Sequence, residues 1–428
     1  MQERTQVGHF AFNQADSPAV GSVLHEQHLK LTSRLHMNPF CGYIMPLWYS
    51  AIAAEHRAVR EAAGLFDCTH MGTLDVSGPE ASDFLDYVTT NKIADLGVGS
   101  ARYSYILDAA GNILDDIIIY RRAGERFMVV VNAANEPKIK AYFKALLNDE
   151  FPVDAEDTRR KLPYKPDIFD MRDTSQSRDC RVDIALQGPR SLDIVSALID
   201  AQARQQVDAM RPFHFVQAAL GEIDCIIART GYTGAKVGFE LFVHPVNAPR
   251  LWEMMLQKCE QYGLVPCGLG ARDSLRIEAG LPLYGHELAG QYDISPFEAG
   301  YGWAVKLDKE FFIGKKPMEQ IAKNYDMEVA RVELPGAKGV RPVRQNDAVL
   351  NGNGECTGWV LSCAKIEEKQ IALVYMSREC TQQGNPVGLY YLARSRVQLE
   401  QGRKDRVEKA EHVNSDLAGV VLSRFEKF

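Results

Sequence analysis

Two apolar runs, Asp116-Ile-Ile-Ile-Tyr120 and Arg126-Phe-Met-Val-Val-Val-Asn132, flank the short polar segment Arg121-Arg-Ala-Gly-Glu125. Runs rich in Ile, Val, Phe and Tyr, separated by a brief Gly-containing stretch, predict a β-hairpin. With Gly124 as its midpoint, Asp116 and Asn132 lie eight residues to either side and face each other across the ladder. A carboxylate and an amide at the open end of an apolar hairpin are either turn punctuation, a common use of Asp, or a functional pair. Upstream, residues 102–107 read as a strand and Asp108-Ala-Ala-Gly-Asn112 as a turn. Tyr103, Asp116 and Asn132 then line up across three antiparallel strands. That register matters, because a slip of one residue sends the side chains to the opposite face.

Helical spacing recurs at 51–63, through Ile52, Val59 and Ala63, at 79–88 and at 248–262. Strands are expected within 65–76, on either side of a turn at 67–72, and at 181–186, 223–229 and 239–243. A helix follows Gln187-Gly-Pro189 through Ile199. Cys267-Gly-Leu-Gly-Ala-Arg272 reads as a loop preceding a helix at 273–279. Strands and helices do not alternate regularly, which favours α+β over a doubly wound sheet. The expected organisation is a polar N-terminal extension at 1–28, a main region at 29–325 and a small β domain at 326–428. Within the main region, 154–178 is charged, contains Pro163 and Pro166, and reads as a long exposed insertion.

A length of 428 residues suggests two or three domains. The net charge of -7 gives no footprint for nucleic acid, and no apolar run is long enough to span a bilayer. The N-terminus lacks a signal-peptide core. Nine scattered cysteines without a Cys-x-x-Cys pair predict reduced thiols in a cytoplasmic protein and argue against zinc. No Gly-x-Ser-x-Gly elbow is present. His25 and His28 are helically spaced but lack an evident third ligand, and His70 reads as a structural histidine. In Thr230-Gly-Tyr-Thr-Gly234 and Gly238-Phe-Glu240, the glycines permit close approach to a ligand, Tyr232 offers a flat face, and Glu240 can grip an amidine-like edge. Arg272 and Arg276, one helical turn apart, either face an anion or pair with Asp273, Glu278 or Glu240.

In order, Leu65-Phe-Asp-Cys-Thr-His-Met-Gly72, Gly111-Asn-Ile-Leu-Asp-Asp116, Val130-Val-Asn-Ala-Ala-Asn135, Ala185-Leu-Gln-Gly-Pro189 and Arg229-Thr-Gly-Tyr-Thr-Gly234 resemble the glycine cleavage T-protein family of folate-dependent aminomethyltransferases. Gly268-Leu-Gly-Ala-Arg-Asp-Ser-Leu-Arg-Ile-Glu-Ala-Gly280, Leu283-Tyr-Gly285, Pro296-Phe-Glu-Ala-Gly-Tyr-Gly-Trp303 and Phe312-Ile-Gly314 continue the likeness, which spans roughly 30 to 320. The resemblance implies a three-domain cloverleaf with antiparallel sheets and a C-terminal β-barrel. It implies a transferase that moves a one-carbon unit from aminomethyl-dihydrolipoyl H-protein to tetrahydrofolate and releases ammonia. Asp116 matches the family's catalytic aspartate; Tyr103, Asn132, Tyr232, Glu240, Arg272 and Met71 match positions of the folate pocket; no metal is implied.

Four departures bear on the carbon donor, one of them the 154–178 insertion, which the family does not usually carry. The usual Gly-Tyr-Thr-Gly-Glu-Asp-Gly-Phe-Glu becomes Gly231-Tyr-Thr-Gly-Ala-Lys-Val-Gly-Phe-Glu240. The usual Phe-Ala-Gly-Trp-Glu-Met-Pro becomes Phe40-Cys-Gly-Tyr-Ile-Met-Pro46, and Arg424-Phe-Glu426 stands where Pro-Phe-Tyr is usual. The alternative is a tetrahydrofolate-dependent demethylase of a small methylated amine, ether or sulfonium. A non-catalytic folate-binding relative is disfavoured by the retained Asp116 and by Leu281-Pro-Leu-Tyr-Gly-His-Glu287 in place of the Lys-Gly-Cys-Tyr-x-Gly-Gln-Glu of such proteins.

Overall fold

The computed structural model describes residues 7–14, 17–175, 177 and 179–426, so the leading Met1-Gln-Glu-Arg-Thr5 and two residues of the 154–178 stretch lie outside it. The chain divides into two units. The first holds Met1–Gly231, Ala235–Arg272 and Ala304–Gln320; the second holds Tyr232–Gly234, Asp273–Trp303 and Ile321–Phe428. Both mix helices with largely antiparallel sheets, as the α+β expectation requires.

Two large sheets and a small one of Val20–Gly21, Tyr43–Pro46 and Met37–Phe40 build the first unit. The five-stranded sheet runs, edge to edge, Ala101–Leu107, Ile113–Ala123, Arg126–Val131, Gly72–Ser77 and Asp167–Asp170. Period-2 alternation splits its hairpin between two cores. Ile117, Ile119, Phe127, Val129 and Val131 pack with Phe84 and Leu85 of the helix Ala81–Val88 and with Ile139 and Tyr142 of the helix Glu136–Leu147. Tyr120, Met128 and Val130 point the other way, onto Ile226, Ala228 and Phe242 of the second sheet. That six-stranded sheet runs Phe215–Leu220, Ile223–Ala228, Gly238–Val243, Val182–Gln187, Ala63–Asp67 and Leu264–Cys267, with its last pair parallel. Helices Ser191–Leu198 and Ala248–Lys258 cover its far side, where Trp252 is fully buried. The order is thus helix, sheet, sheet, helix, and any side chain alternating inward is held between two β layers.

The hairpin has the expected register: Ile118 opposes Val130, which carries Asp116 to Asn132. Its upstream neighbour differs. A bulge between Ile106 and Leu107 places Tyr105, not Tyr103, opposite Asp116. Tyr103 sits two residues along on the same face, within reach on the diagonal.

The stretch 154–178 is not simply an exposed insertion. Asp167–Asp170 adds an edge strand to Gly72–Ser77, and Leu162 and Met171 are buried. Its prolines and charges mask a short strand whose apolar contacts are non-local. Nor is the N-terminal stretch irregular throughout. Val20–Gly21 pairs with Tyr43–Pro46, and the helix His25–Leu31 brings His28 to complete burial. His28 Nε2 meets Asp67 Oδ2 at 2.7 Å, a carboxylate partner far along the sequence. The Ser22 hydroxyl donates to the same oxygen at 2.7 Å. Helix Ala201–Asp208 and strand Phe215–Leu220 are further elements beyond the sequence expectation. The helix expected at 273 begins earlier, as Leu269–Ala279, so Arg272 is helical.

In the second unit, Met327–Pro335, Lys369–Ser377, Cys356–Ile366, Ala348–Leu350, Pro386–Tyr390 and Leu417–Val421 close into a barrel around Val332, Val360, Val374 and Leu389. Closure is made by Val332 pairing with Val421 and Glu333 with Val420. The expected small β domain is this barrel.

Candidate active site

The end of the hairpin is a polar cluster in an apolar frame. Asn132 Nδ2 donates to Asp116 Oδ1 at 2.8 Å and to Asp115 Oδ1 at 2.8 Å, with the Asp116 carbonyl at 3.0 Å. Neighbouring strand residues point to opposite faces, so one amide bridges carboxyls on both sides of the sheet. Asp115 is fully buried toward the helices and also accepts from the Asn132 backbone N–H at 2.9 Å and Asn135 Nδ2 at 2.5 Å. Asp116, half-buried on the face turned to the second sheet, accepts from the Tyr103 hydroxyl at 3.0 Å. Tyr103 packs edge-on against Tyr105.

Burial pushes both carboxyls above the usual carboxylate range, and the repulsion of Asp116 adds to the rise at Asp115. Such a pair titrates as a unit. Its hydrogen bonds decide which member holds the proton. Asp115 meets only N–H donors, which cannot accept a carboxyl proton, whereas the Tyr103 oxygen beside Asp116 can. Asp115 is therefore the charged member and Asp116 the one that keeps a proton to higher pH.

A second polar group lies on the inner face of the six-stranded sheet. Glu240 Oε2 accepts from the Tyr120 hydroxyl at 2.9 Å and, over a shorter contact, from the Thr230 hydroxyl. Asp183, on the adjacent strand and diagonal to Glu240 in the register, is almost fully buried, and its Oδ1 has no hydrogen-bond partner among the described residues. Burial, reinforced by the charge of Glu240, raises its carboxyl well above normal. Asp183 was missed in the sequence. The available signal was alternation: Val182, Ile184 and Leu186 face the helix-side core, so Asp183 must face inward.

The glycines of this loop approach a side chain rather than a ligand. A Cβ on Gly231 or Gly238 would lie 2.2 Å or 2.6 Å from the Gln187 amide, which donates to the Thr230 and Phe239 carbonyls. Arg272 Nη1 donates to Cys68 Sγ at 2.7 Å, and Arg272 lines a small pocket with Met45, Pro46, Phe66 and Leu269. Beside it His70 is buried, its basicity lowered to about 4 by burial and by the Arg272 charge. Met71 packs against the core between the sheets. Tyr232 belongs to the second unit, where its hydroxyl donates to the Pro282 carbonyl at 2.7 Å. Arg276 pairs with Asp273 at 2.9 Å and with fully buried Glu287 at 2.6 Å, so of its expected partners it takes Asp273.

Of the expected site residues, the structure joins Tyr103, Asp116 and Asn132 directly. Glu240 and Arg272 lie in the same unit on their own partners. Among the described residues no group of three or more His, Cys, Asp or Glu could hold a metal ion, and no helix is long and apolar enough to cross a membrane.

A family model described as the GCVT N-terminal domain matches residues 24–309. An aminomethyltransferase of Chlorobium chlorochromatii is 38% identical over 81% of this chain and 88% of its own length. One from Streptomyces avermitilis is 40% identical over 79% of this chain and 85% of its own. The crystal structure of glycine cleavage system aminomethyltransferase T from Bartonella henselae superposes with a TM-score of 0.71 at 27% identity, covering 94% of this chain and 96% of that one.

Proposed function

Because the chain belongs to the aminomethyltransferase family of glycine cleavage T-proteins, we propose that it transfers the one-carbon unit of aminomethyl-dihydrolipoyl H-protein to tetrahydrofolate. The carbon–nitrogen and carbon–sulfur bonds of the aminomethyl group break, the carbon forms bonds to N5 and N10 of the cofactor, and the two protons displaced from those nitrogens leave with ammonia and the dihydrolipoyl thiol. Tetrahydrofolate supplies those nucleophiles; the chain's residues orient it and manage charge and protons.

The residues fit such a ligand. A reduced pterin is a flat ring with an edge of N–H donors. Glu240 Oε1 and Asp183 Oδ1 are acceptors on the inward face of the sheet pair, and Asp183 Oδ1 has no hydrogen-bond partner among the described residues. Glu240 is fixed at its other oxygen by Tyr120 and Thr230, so its binding geometry is set before the ligand arrives, which reduces the ordering cost. In this reading Met71 supplies a wall to the pocket and Arg272 a positive charge. Asp116, oriented by Tyr103 and Asn132, is the catalytic residue. It stabilises positive charge that develops on the cofactor nitrogens and can hand over or take up a proton there. No metal takes part in this scheme.

The observation that carries the reading is the Asp116 carboxyl gripped at both oxygens in a family-matched chain. The test is formation of 5,10-methylenetetrahydrofolate and ammonia from tetrahydrofolate and aminomethylated H-protein, with Asp116→Asn as control. Turnover that is lost in the control supports the reading. No turnover by the unaltered protein, with tetrahydrofolate still bound, refutes the H-protein donor and shifts the search to small methylated amines, ethers or sulfoniums. Undiminished turnover in the control removes Asp116 from its role.

A further inference from the structure

We propose that Asp115 is a positioning residue for the transfer, acting through the shared Asn132 amide to fix the Asp116 carboxyl and to keep the proton of the pair on Asp116. This rests on the reading that places Asp116 at the reacting centre. Asp115 itself is turned away from that face and fully buried.

The geometry is that of a lever with Asn132 as its bar. Both Asn132 donors that serve Asp115, the side-chain amide at 2.8 Å and the backbone N–H at 2.9 Å, come from one residue, which therefore cannot swing. The remaining amide hydrogen is directed at Asp116 Oδ1, also at 2.8 Å. Asn135 Nδ2 closes the arrangement from behind. Asn135 immediately precedes the helix Glu136–Leu147, whose N-terminal end favours a negative charge. Three N–H donors and a helix N-terminus stabilise Asp115 as a carboxylate. Its charge then acts on Asp116 across the amide.

The groups facing the pair are few. Tyr103 and Tyr105 lie on the strand alongside Asp116. Lys138 on the helix lies near enough to Asp115 and Asp108 to feel both charges. Asp108 is already occupied by the Phe10, Ala110 and Asn112 backbone N–H groups and by the Asn112 amide. Tyr142 donates to the Leu107 carbonyl. Lys138 offsets part of the Asp115 charge, so the influence on Asp116 is smaller than that of a bare carboxylate.

The test is Asp115→Asn, which keeps the shape and removes the charge, with Asn135→Ser as a milder variant that removes a donor serving Asp115 alone. The readout is the carboxyl carbon-13 shift of Asp116 against pH in aspartate-labelled protein, with the resonance assigned by its loss in Asp116→Asn. It needs neither donor nor turnover. The Asp116 midpoint is expected to fall by about one to two pH units in Asp115→Asn, and by less in Asn135→Ser, in the same direction. In the transfer assay the loss should appear in kcat, with its alkaline limb displaced to lower pH, while KM for tetrahydrofolate changes little. An unchanged midpoint in folded Asp115→Asn overturns the proposal and leaves Asp115 a structural acceptor. If that variant does not fold, an unchanged midpoint in Asn135→Ser overturns it instead. Failure of the H-protein donor alone would leave the carbon-13 result standing and count against the proposed function only.

Discussion

His70 offers a pH experiment with a defined sign. Its ring is 2% exposed, Nδ1 has no hydrogen-bond partner among the described residues, and the Arg272 charge opposes protonation. Asp67 nearby works in the opposite direction but does not prevail. The folded-state pKa falls to about 4, below the 6.5 of an ordinary imidazole. In this sense His70 is a base that folds neutral, so the unfolded chain binds a proton that the native state refuses. Stability from this group is therefore full above the unfolded pKa and is lost as pH falls toward the folded one. Linkage between these two values gives a loss of about 2 kcal/mol between pH 7 and pH 5, an upper figure for a group this buried. His70→Gln keeps a neutral polar side chain but cannot titrate. Its stability at pH 7 should be lower than that of the parent through poorer packing, yet it should lose about 2 kcal/mol less on acidification to pH 5. The assay is urea unfolding at the two pH values, followed by hydrogen exchange of peptides from Ala63–Asp67, the strand leading to His70. Parallel losses in the two proteins would refute the reasoning, for they would mean that His70 protonates freely in the native state.

Tyr103→Phe removes the hydroxyl that holds Asp116 Oδ2, and kcat should fall about tenfold with KM little changed, since a hydrogen bond to a carboxylate contributes about 1.5–3 kcal/mol; a change confined to KM would contradict this. Glu240→Gln exchanges one acceptor of the proposed pterin grip for an amide, and the tetrahydrofolate Kd from equilibrium titration should rise by about 10- to 100-fold; an unaltered Kd would exclude Glu240 from the pocket. Glu287→Ala strands the buried Arg276 guanidinium and should cost the second unit about 3–5 kcal/mol in denaturant unfolding, with Arg276→Met added to it restoring much of the loss. A loss below about 1 kcal/mol would show that water reaches Arg276.

What was legible in the sequence was what is set locally. The turn at Gly124 and Glu125 ties Asp116 to Asn132, and a short antiparallel connection leaves little freedom of register, so their pairing could be read by counting. The neighbouring hairpin was harder, because the bulge at Ile106 and Leu107 changes the pairing by one residue and has no signature in side-chain type. That Tyr103 still reaches Asp116 reflects its length and the period of two. Partners made across long separations could not be counted at all. His28 with Asp67, Tyr120 with Glu240 and Arg272 with Cys68 depend on which sheet faces meet, as does the strand 167–170 hidden among charges. Arg276 chose Glu287, eleven positions away, because a turn returns the chain to the helix end.

The barrel has a consequence for how the protein is made. Its first strand, Met327–Pro335, leaves the ribosome well before Leu417–Val421, the strand that must close on it. Until then the nascent sheet carries two open edges, one on Met327–Pro335 and one on Pro386–Tyr390, each able to recruit a strand from another chain. Each ends or begins with a proline, Pro335 and Pro386, which withholds a backbone donor from a stray partner. The interval before closure is thus the stage at which chaperone supply and growth temperature govern yield, and a chain cut before residue 417 should accumulate as aggregate rather than as a shortened enzyme.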